Sequence, residues 1–352
     1  MFATLDTPQL LLDLDVLDAN LRRMQGECAT RGIHLRVHFK SLKCGSLAKY
    51  LAAKGIDGFL CAKLNEAEIL ASAGIGDILI ANQIVGPIKL RRAAELARQV
   101  KLAVCVDDAA NVRALAEAAR AVGSQLGVYV EVNVGMNRCG VEPGDPTLEL
   151  ARLVSSLPSL RFEGLQGYDG HLQMLPDAAE REQKSRDSMA KLAATRELIE
   201  RAGLRVGVVT GGGTGTWEFV ASSPGITELQ PGSFLLMDAI YHRLRPEFGC
   251  SLSLLTTVIS RHPTWYVLDA GSKAISADFG MPAIKGRPAE LVKRLAEEHA
   301  LVECADPPHV GERRQVFPAH CCATMNLHRQ CIAVRGDKVE AVWLIEASGR
   351  YD

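Results

Sequence analysis

The sequence predicts an α/β protein: a (β/α)8 TIM barrel followed by a C-terminal β-rich domain. Three observations carry this. Eight short apolar segments alternate with helical patterns from about residue 35 to residue 230, which suits eight βα units. The alternation stops near Tyr241, and the segments after it read mostly as strands. Between the last two of them, Arg335-Gly336-Asp337-Lys338 reads as a hairpin turn. We therefore expect a barrel over residues 15–240 and a β-domain over 241–352, joined by residues 1–14.

In chain order, Thr7 to Leu14 is apolar and extended, with Pro8 near its start. Asp15 can cap a helix running to about Arg31, with Leu17, Leu21 and Met24 on one face. Candidate barrel strands are Leu35–Phe39, Gly58–Ala62, Asp77–Ala81, Leu102–Val106, Gly127–Asn133, Phe162–Tyr168, Val206–Thr210 and Thr227–Gln230. Helical patterns between them include Glu66–Ala73, Ile88–Arg98, Ala109–Ala121, Leu148–Leu157 and Arg181–Ala202. An open doubly wound sheet is the alternative, but the strands continue past its usual six. The C-terminal strands are Ser253–Ser260, Thr264–Leu268, Gln315–Pro318, Cys331–Arg335 and Val339–Ile345, with one helix expected over about Ala289–His299.

The 352 residues are 47% hydrophobic with a net charge of −1, enough for a large core and two domains. No basic stripe points to nucleic acid, and no apolar run is long enough for a membrane span. The N-terminus lacks the pattern of a signal peptide. Ten scattered cysteines without a signal read as free thiols or ligands. These features together indicate a cytoplasmic protein.

Four stretches carry chemistry. Lys40 ends the first barrel strand, where a lysine is placed for Schiff-base formation, although taken alone it reads far more readily as a solvated surface lysine, and only the rest of the chain reverses that. The run Thr210-Gly211-Gly212-Gly213-Thr214-Gly215-Thr216 follows the seventh strand. Its glycines let backbone N–H groups surround an anion, and the helix beginning there would add its positive end. Arg138 follows the fifth strand, and Tyr168 and His171 the sixth; these types suit fixing an oxygen, lining a ring and moving a proton. His320 and Cys322 are two apart in what reads as an extended segment, so they share a face. Imidazole and thiolate suit zinc, with a buried thiol beside a structural histidine as the alternative.

With these residues in place, the chain resembles the D-threonine aldolase/D-serine dehydratase family of pyridoxal-phosphate enzymes, of the alanine-racemase-like fold (fold type III). The resemblance spans nearly the whole chain, through Thr7-Pro8, Leu12-Asp13-Leu14-Asp15, Asn137-Arg138-Cys139-Gly140, Gly212-Gly213-Thr214-Gly215, Glu228 to Ser233, Met237-Asp238, and Asp269-Ala270-Gly271 with Lys273. It implies that Lys40 is the Schiff-base lysine, Arg138 neighbours the cofactor's phenolic oxygen, and Tyr168 lies beside its ring. Gly212, Gly213 and Thr214 would hold its phosphate. His320 and Cys322 would hold a divalent metal, zinc by preference for a thiolate, with manganese or magnesium possible. Glu297 and His299 resemble an acidic-His segment near that metal.

The chain departs from the family at Val37, usually proline, at Ser41-Leu42, usually Thr-His, at Ala62, usually glutamine, and at Phe234, usually tyrosine. Where the aldolases place their proton-accepting histidine, six residues after Tyr168, this chain has Met174. Methionine cannot move a proton, which leaves His171 as the candidate substitute. The resemblance implies a lyase acting on a small-molecule substrate, a β-hydroxy D-amino acid, and a homodimer. Retro-aldol cleavage ranks first on Cys139-Gly140 and the C-terminal segment. Dehydration is the alternative, which Met174 and Cys322 favour, followed by racemisation. A non-catalytic pyridoxal-phosphate-binding protein is disfavoured by the C-terminal domain.

Overall fold

The computed structural model describes residue 2 and residues 4–352. Contacts divide these into two compact bodies. One comprises residues 24–40, 48–232 and 351–352; the other comprises residues up to 23, 41–47 and 233–350.

The chain opens with β1 (Gln9–Asp13) and α1 (Leu14–Arg31), followed by β2 (His34–Leu35), β3 (Val37–His38) and α2 (Gly45–Ala52). Then come β4 (Phe59–Cys61), α3 (Leu64–Ser72), β5 (Asp77–Ile80), α4 (Pro87–Leu96), β6 (Lys101–Val106) and α5 (Ala109–Val122). The alternation continues with β7 (Leu126–Glu131), α6 (Asp145–Ser155), β8 (Leu160–Gly167), α7 (Ala178–Arg201), β9 (Val208–Gly211), α8 (Trp217–Ala221) and β10 (Glu228–Leu229). The strands are parallel in the order β2-β10-β9-β8-β7-β6-β5-β4-β3. All eight expected strands are present.

The expected first strand is two pieces, β2 pairing with β10 and β3 with β4. Arg36 lies between them, and its N–H still donates to Leu229 O at 2.9 Å. The reason lies in its side chain. The buried guanidinium bonds Glu228 Oε2 at 2.9 Å and Asp77 Oδ1 at 2.7 Å. This ties the first strand to β5 and β10, and a buried guanidinium is tolerable only when so paired. A Cβ on Gly58 would stand 2.7 Å from Arg36 Nη1, so the ion pair also explains that glycine. Leu60, Leu79, Ala103, Cys105 and Tyr129, from four successive strands, form one buried cluster, as expected of strands covered on both faces.

In the second body, β11 (Leu252–Arg261), β12 (Trp265–Leu268), β13 (Ala283–Ile284), β14 (Leu291–Leu295) and β15 (Ala300–Glu303) follow the short α9 (Tyr241–Leu244). The chain ends with β16 (Arg313–Phe317), α10 (Cys321–Met325), β17 (Gln330–Arg335) and β18 (Lys338–Leu344). The sheet runs β14-β15-β12-β11-β1-β17-β18, with β16 joined to β11 and β13. β1 lies between β11 and β17, which explains why the chain's first strand belongs to this body. The β17–β18 hairpin turns at Gly336, whose φ of 54° suits glycine.

One expected element is wrong. The helix over Ala289–His299 is instead β14 and its turn into β15. The segment is rich in helix formers, but Val292 pairs with Val302 and Leu295 with Ala300. Its entry is pinned where Glu290 Oε2 accepts from the buried Tyr266 hydroxyl at 2.5 Å and from Arg314 Nε at 2.9 Å. Cross-strand packing overrides weak helix propensity here.

Candidate active site

Lys40 stands not on the strand but in the 3₁₀ turn Phe39–Ser41 that follows β3. It lines a cavity with His38, Asn82, Arg138, Gln166, Tyr168 and Gln230, all from the C-terminal ends of barrel strands or the loops after them. Lys40 Nζ lies 5.7 Å from the centre of the Tyr168 ring, and the Arg138 guanidinium 5.5 Å from the same centre. The ring is thus gripped by two cations, a geometry that attracts each of them. His38 Nδ1 accepts from Lys40 N at 3.4 Å. Burial, and then the positive charge of Lys40, hold the His38 pKa well below the usual range, so it is neutral. Gln230 Nε2 donates to Gln166 Oε1 at 2.9 Å beneath the cavity.

Arg138 is delivered by a loop folded back on β7. Asn133 Oδ1 accepts from Gly135 N at 3.2 Å and Asn137 N at 3.1 Å, and Asn137 takes a left-handed φ of 54°. Gly140 packs so closely that a Cβ would lie 2.8 Å from Asn133 N. The Arg138 guanidinium is 3.8 Å from buried Glu131, which also accepts from Gln83 Nε2 at 2.5 Å. Burial raises the Glu131 pKa, and the Gln83 bond and Arg138 oppose that rise. Arg138 is half-exposed, so its donors can serve a ligand.

The glycine loop follows β9. Gly212 has φ 71°, and a Cβ on it would meet Val220 at 3.0 Å. A network beneath fixes the loop. Gln173 Oε1 accepts from Gly215 N at 2.8 Å, and its Nε2 donates to Thr216 Oγ1 at 2.7 Å and Asp169 Oδ1 at 3.0 Å. Ser185 and Thr216 hydroxyls also donate to the fully buried Asp169. Burial raises the Asp169 pKa against these bonds. Thr210 Oγ1, at the loop's entry, is buried without a partner among the described residues. A bare-backbone cradle with an orphaned hydroxyl fits an anion. The expected contribution from the following helix falls away, because α8 has five residues and is too short to carry a useful dipole.

His171 is not brought into this cavity. It sits in the 3₁₀ turn Gly170–Leu172, exposed, while Asp169, Leu172 and Gln173 take the buried face. Successive residues of such a turn point about 120° apart, so burying Leu172 turns His171 outward, toward Gly135 and Lys191. His171→Gln should therefore retain activity within ~10-fold, whereas loss of a general base costs about 10²–10⁴-fold. A loss of that size in kcat would restore His171 as the proton acceptor.

The second body brings His320 and Cys322 together, but not on an extended segment. His320 is the residue capping α10, with φ −145°, and Cys322 is in that helix's first turn. The break occurs because Asp238 Oδ2 accepts from Cys321 N at 3.0 Å, anchoring the helix start. The Cys322 and His320 side chains nevertheless hydrogen-bond each other. Cys322 Sγ also lies 3.0 Å from Ser41 Oγ and 3.3 Å from Ser233 Oγ; Ser41 is the residue after Lys40 in the chain. Among the described residues no third His, Cys, Asp or Glu completes a metal cluster. Glu297 is exposed and pairs with Lys273 at 2.9 Å.

The Asp169–Gln173–Thr216 network escaped sequence reasoning, which read Tyr168-Asp169-Gly170-His171-Leu172-Gln173 for Tyr and His alone. The i, i+4 spacing of Asp169 and Gln173 was the available signal.

Residues 12–239 match the alanine racemase N-terminal domain, and residues 251–334 a putative serine dehydratase domain. The chain is 39% identical to a D-threonine aldolase of Arthrobacter sp. over 99% of its length and 94% of the relative's. It is 36% identical to a 3-hydroxy-D-aspartate aldolase of Paracoccus denitrificans, covering 98% and 93%. The crystal structure of D-threonine aldolase from Filomicrobium marinum superposes with a TM-score of 0.95 at 39% identity, covering 98% of this chain and 96% of that one. The fold and these likenesses define a pyridoxal-phosphate-dependent enzyme of the alanine-racemase-like fold. Within that class the chain belongs to the D-threonine aldolase/D-serine dehydratase family of lyases. No helix among the described residues is long and apolar enough to cross a membrane.

Proposed function

We propose that this enzyme cleaves β-hydroxy D-amino acids by a retro-aldol reaction, releasing glycine or a related amino acid and an aldehyde. The observation that carries the reading is the cluster of Lys40, Tyr168 and Arg138 around one cavity, at the mouths of strands that also present a glycine cradle. The choice of bond rests on the near-full-length likeness to two aldolases.

Pyridoxal phosphate, when bound, supplies an electron sink for the pair left on the substrate's Cα. Lys40 would hold it through its amine, and Tyr168 would back its ring. Arg138 would donate to its phenolic oxygen, and Gly212, Gly213 and Thr214 would surround its phosphate. Neutral His38 adds no charge beside Lys40, and the Lys40 amine, once free, can carry a proton to or from Cα.

His320 and Cys322 offer one nitrogen and one sulfur to a divalent metal. Two donors leave positions for water and substrate, the open arrangement of a catalytic site. A metal there would lower the pKa of the β-hydroxyl. Cys322 favours zinc over magnesium, with manganese the other option. Met174 carries no proton, so another group accepts that of the hydroxyl.

A second reading is dehydration to a 2-oxo acid and ammonia. In it Lys40 removes the α-proton and the β-hydroxyl leaves. The thiolate donor and the missing base at Met174 favour it. On the family likeness alone, the proposal extends to a homodimer, and the scattered free cysteines extend it to a cytoplasmic location.

Chelation tests the metal role common to both readings. Dialysis against a chelator should abolish turnover and leave the cofactor's visible absorption intact. Zinc should restore turnover better than magnesium. Full activity in metal-stripped Cys322→Ala would remove the metal and shift the reading toward racemisation.

A further inference from the structure

The loop before β13 closes on His320 from two sides. Asp278 Oδ2 lies 2.8 Å from His320 Nδ1. The Phe279 ring stacks on the imidazole with centres 4.0 Å apart and planes 13° from parallel. The loop is itself tied to the helix that carries Cys322. Ser276 N donates to Thr324 Oγ1 at 3.1 Å, and the Ser276 hydroxyl donates to Asp278 Oδ1. Asp278 is 49% exposed and His320 19%, so the pair makes little contribution to core stability. Phe279, 43% exposed, leaves much of an aromatic ring in solvent to cover one histidine.

We propose that Asp278 and Phe279 are positioning residues that orient His320 for a metal ion. A carboxylate on Nδ1 fixes the tautomer with the proton on Nδ1, which presents the Nε2 lone pair as the ligand. It also raises the basicity of that nitrogen, and such partners typically change metal affinity by about 10–100-fold. The stacked ring fixes the plane in which the lone pair points. Nε2 is the nitrogen left for Cys322, whose side chain already meets His320. Asp278 and His320 are far apart in the chain and come from different elements, so no local motif marks the pair. The inference rests on the proposed metal pair, and the test separates the two.

The test is zinc affinity of the cofactor-loaded enzyme, measured by competition with a chromophoric chelator. Asp278→Ala should bind zinc about 10–100-fold more weakly, with unchanged thermal stability and cofactor absorption. Asp278→Asn keeps an acceptor oxygen and should lie between the two. Phe279→Ala should weaken binding less than Asp278→Ala. In cobalt-substituted protein the thiolate charge-transfer band should persist in Asp278→Ala while the ligand-field bands shift. Parent-like zinc affinity and cobalt spectrum in Asp278→Ala would overturn the positioning role, provided His320→Ala and Cys322→Ala lose zinc. If those two variants also bind zinc like the parent, the metal lies elsewhere, and the reading of the pair fails together with this inference.

Discussion

Lys40→Ala will produce a colourless protein with activity reduced more than ~10³-fold, the scale seen when a covalently acting group is removed. The expectation follows from position. Lys40 is the lysine that lines the cavity with Tyr168 and Arg138. Lys43 is in the other compact body, with Nζ 3.4 Å from Ala347 O. Lys63 precedes α3 as its capping residue and does not line the cavity. Borohydride reduction followed by peptide mapping reads the answer directly. The label should fall on the peptide containing Lys40, and labelling at Lys43 or Lys63 would refute the assignment. Fold should survive, since removing one partly exposed side chain leaves no buried charge unpaired.

Gly213→Asp should weaken cofactor retention by about 100-fold or more, equivalent to ~2.8 kcal/mol. Two effects add. The new carboxylate repels phosphate across a short, partly dry distance. The new Cβ would also lie 2.5 Å from Gln173 Oε1, so Gln173 must move. That breaks the bonds by which it holds Gly215, Thr216 and Asp169 together. Gly213→Ala separates the contributions, because it keeps the steric effect and lacks the charge. Dissociation constants from absorbance titration of the apoenzyme measure both. Unchanged affinity in a folded Gly213→Asp variant would place the phosphate elsewhere.

The barrel was legible because its strands are buried on both faces and read as short apolar runs, each bounded by a helical pattern. The candidate site was legible for a related reason. Lys40, Arg138, Tyr168 and the glycine run each fall at a strand's C-terminal end, where this architecture places its chemistry. What was missed depends on contacts between distant segments. The β14–β15 hairpin is decided by cross-strand partners and by Tyr266 and Arg314 holding Glu290, none of which lies in the segment itself. His171 was read by residue type, but its direction is set by which neighbours in a 3₁₀ turn are buried. His320 and Cys322 stand near each other but not on the extended segment expected, because the anchor for α10 is Asp238, remote in sequence. Strand one was read whole, although Arg36 divides its partners between β10 and β4.

The central claim is which bond breaks, and product analysis tests it most directly. The cofactor- and zinc-loaded enzyme should be incubated with D-threonine, D-phenylserine and D-3-hydroxyaspartate, alongside their L-forms. Retro-aldol cleavage predicts an aldehyde and glycine in equal amounts from one or more of the D-substrates, with no ammonia and no reaction of the L-forms. Stoichiometric 2-oxo acid and ammonia without glycine would contradict it and establish the dehydratase reading instead.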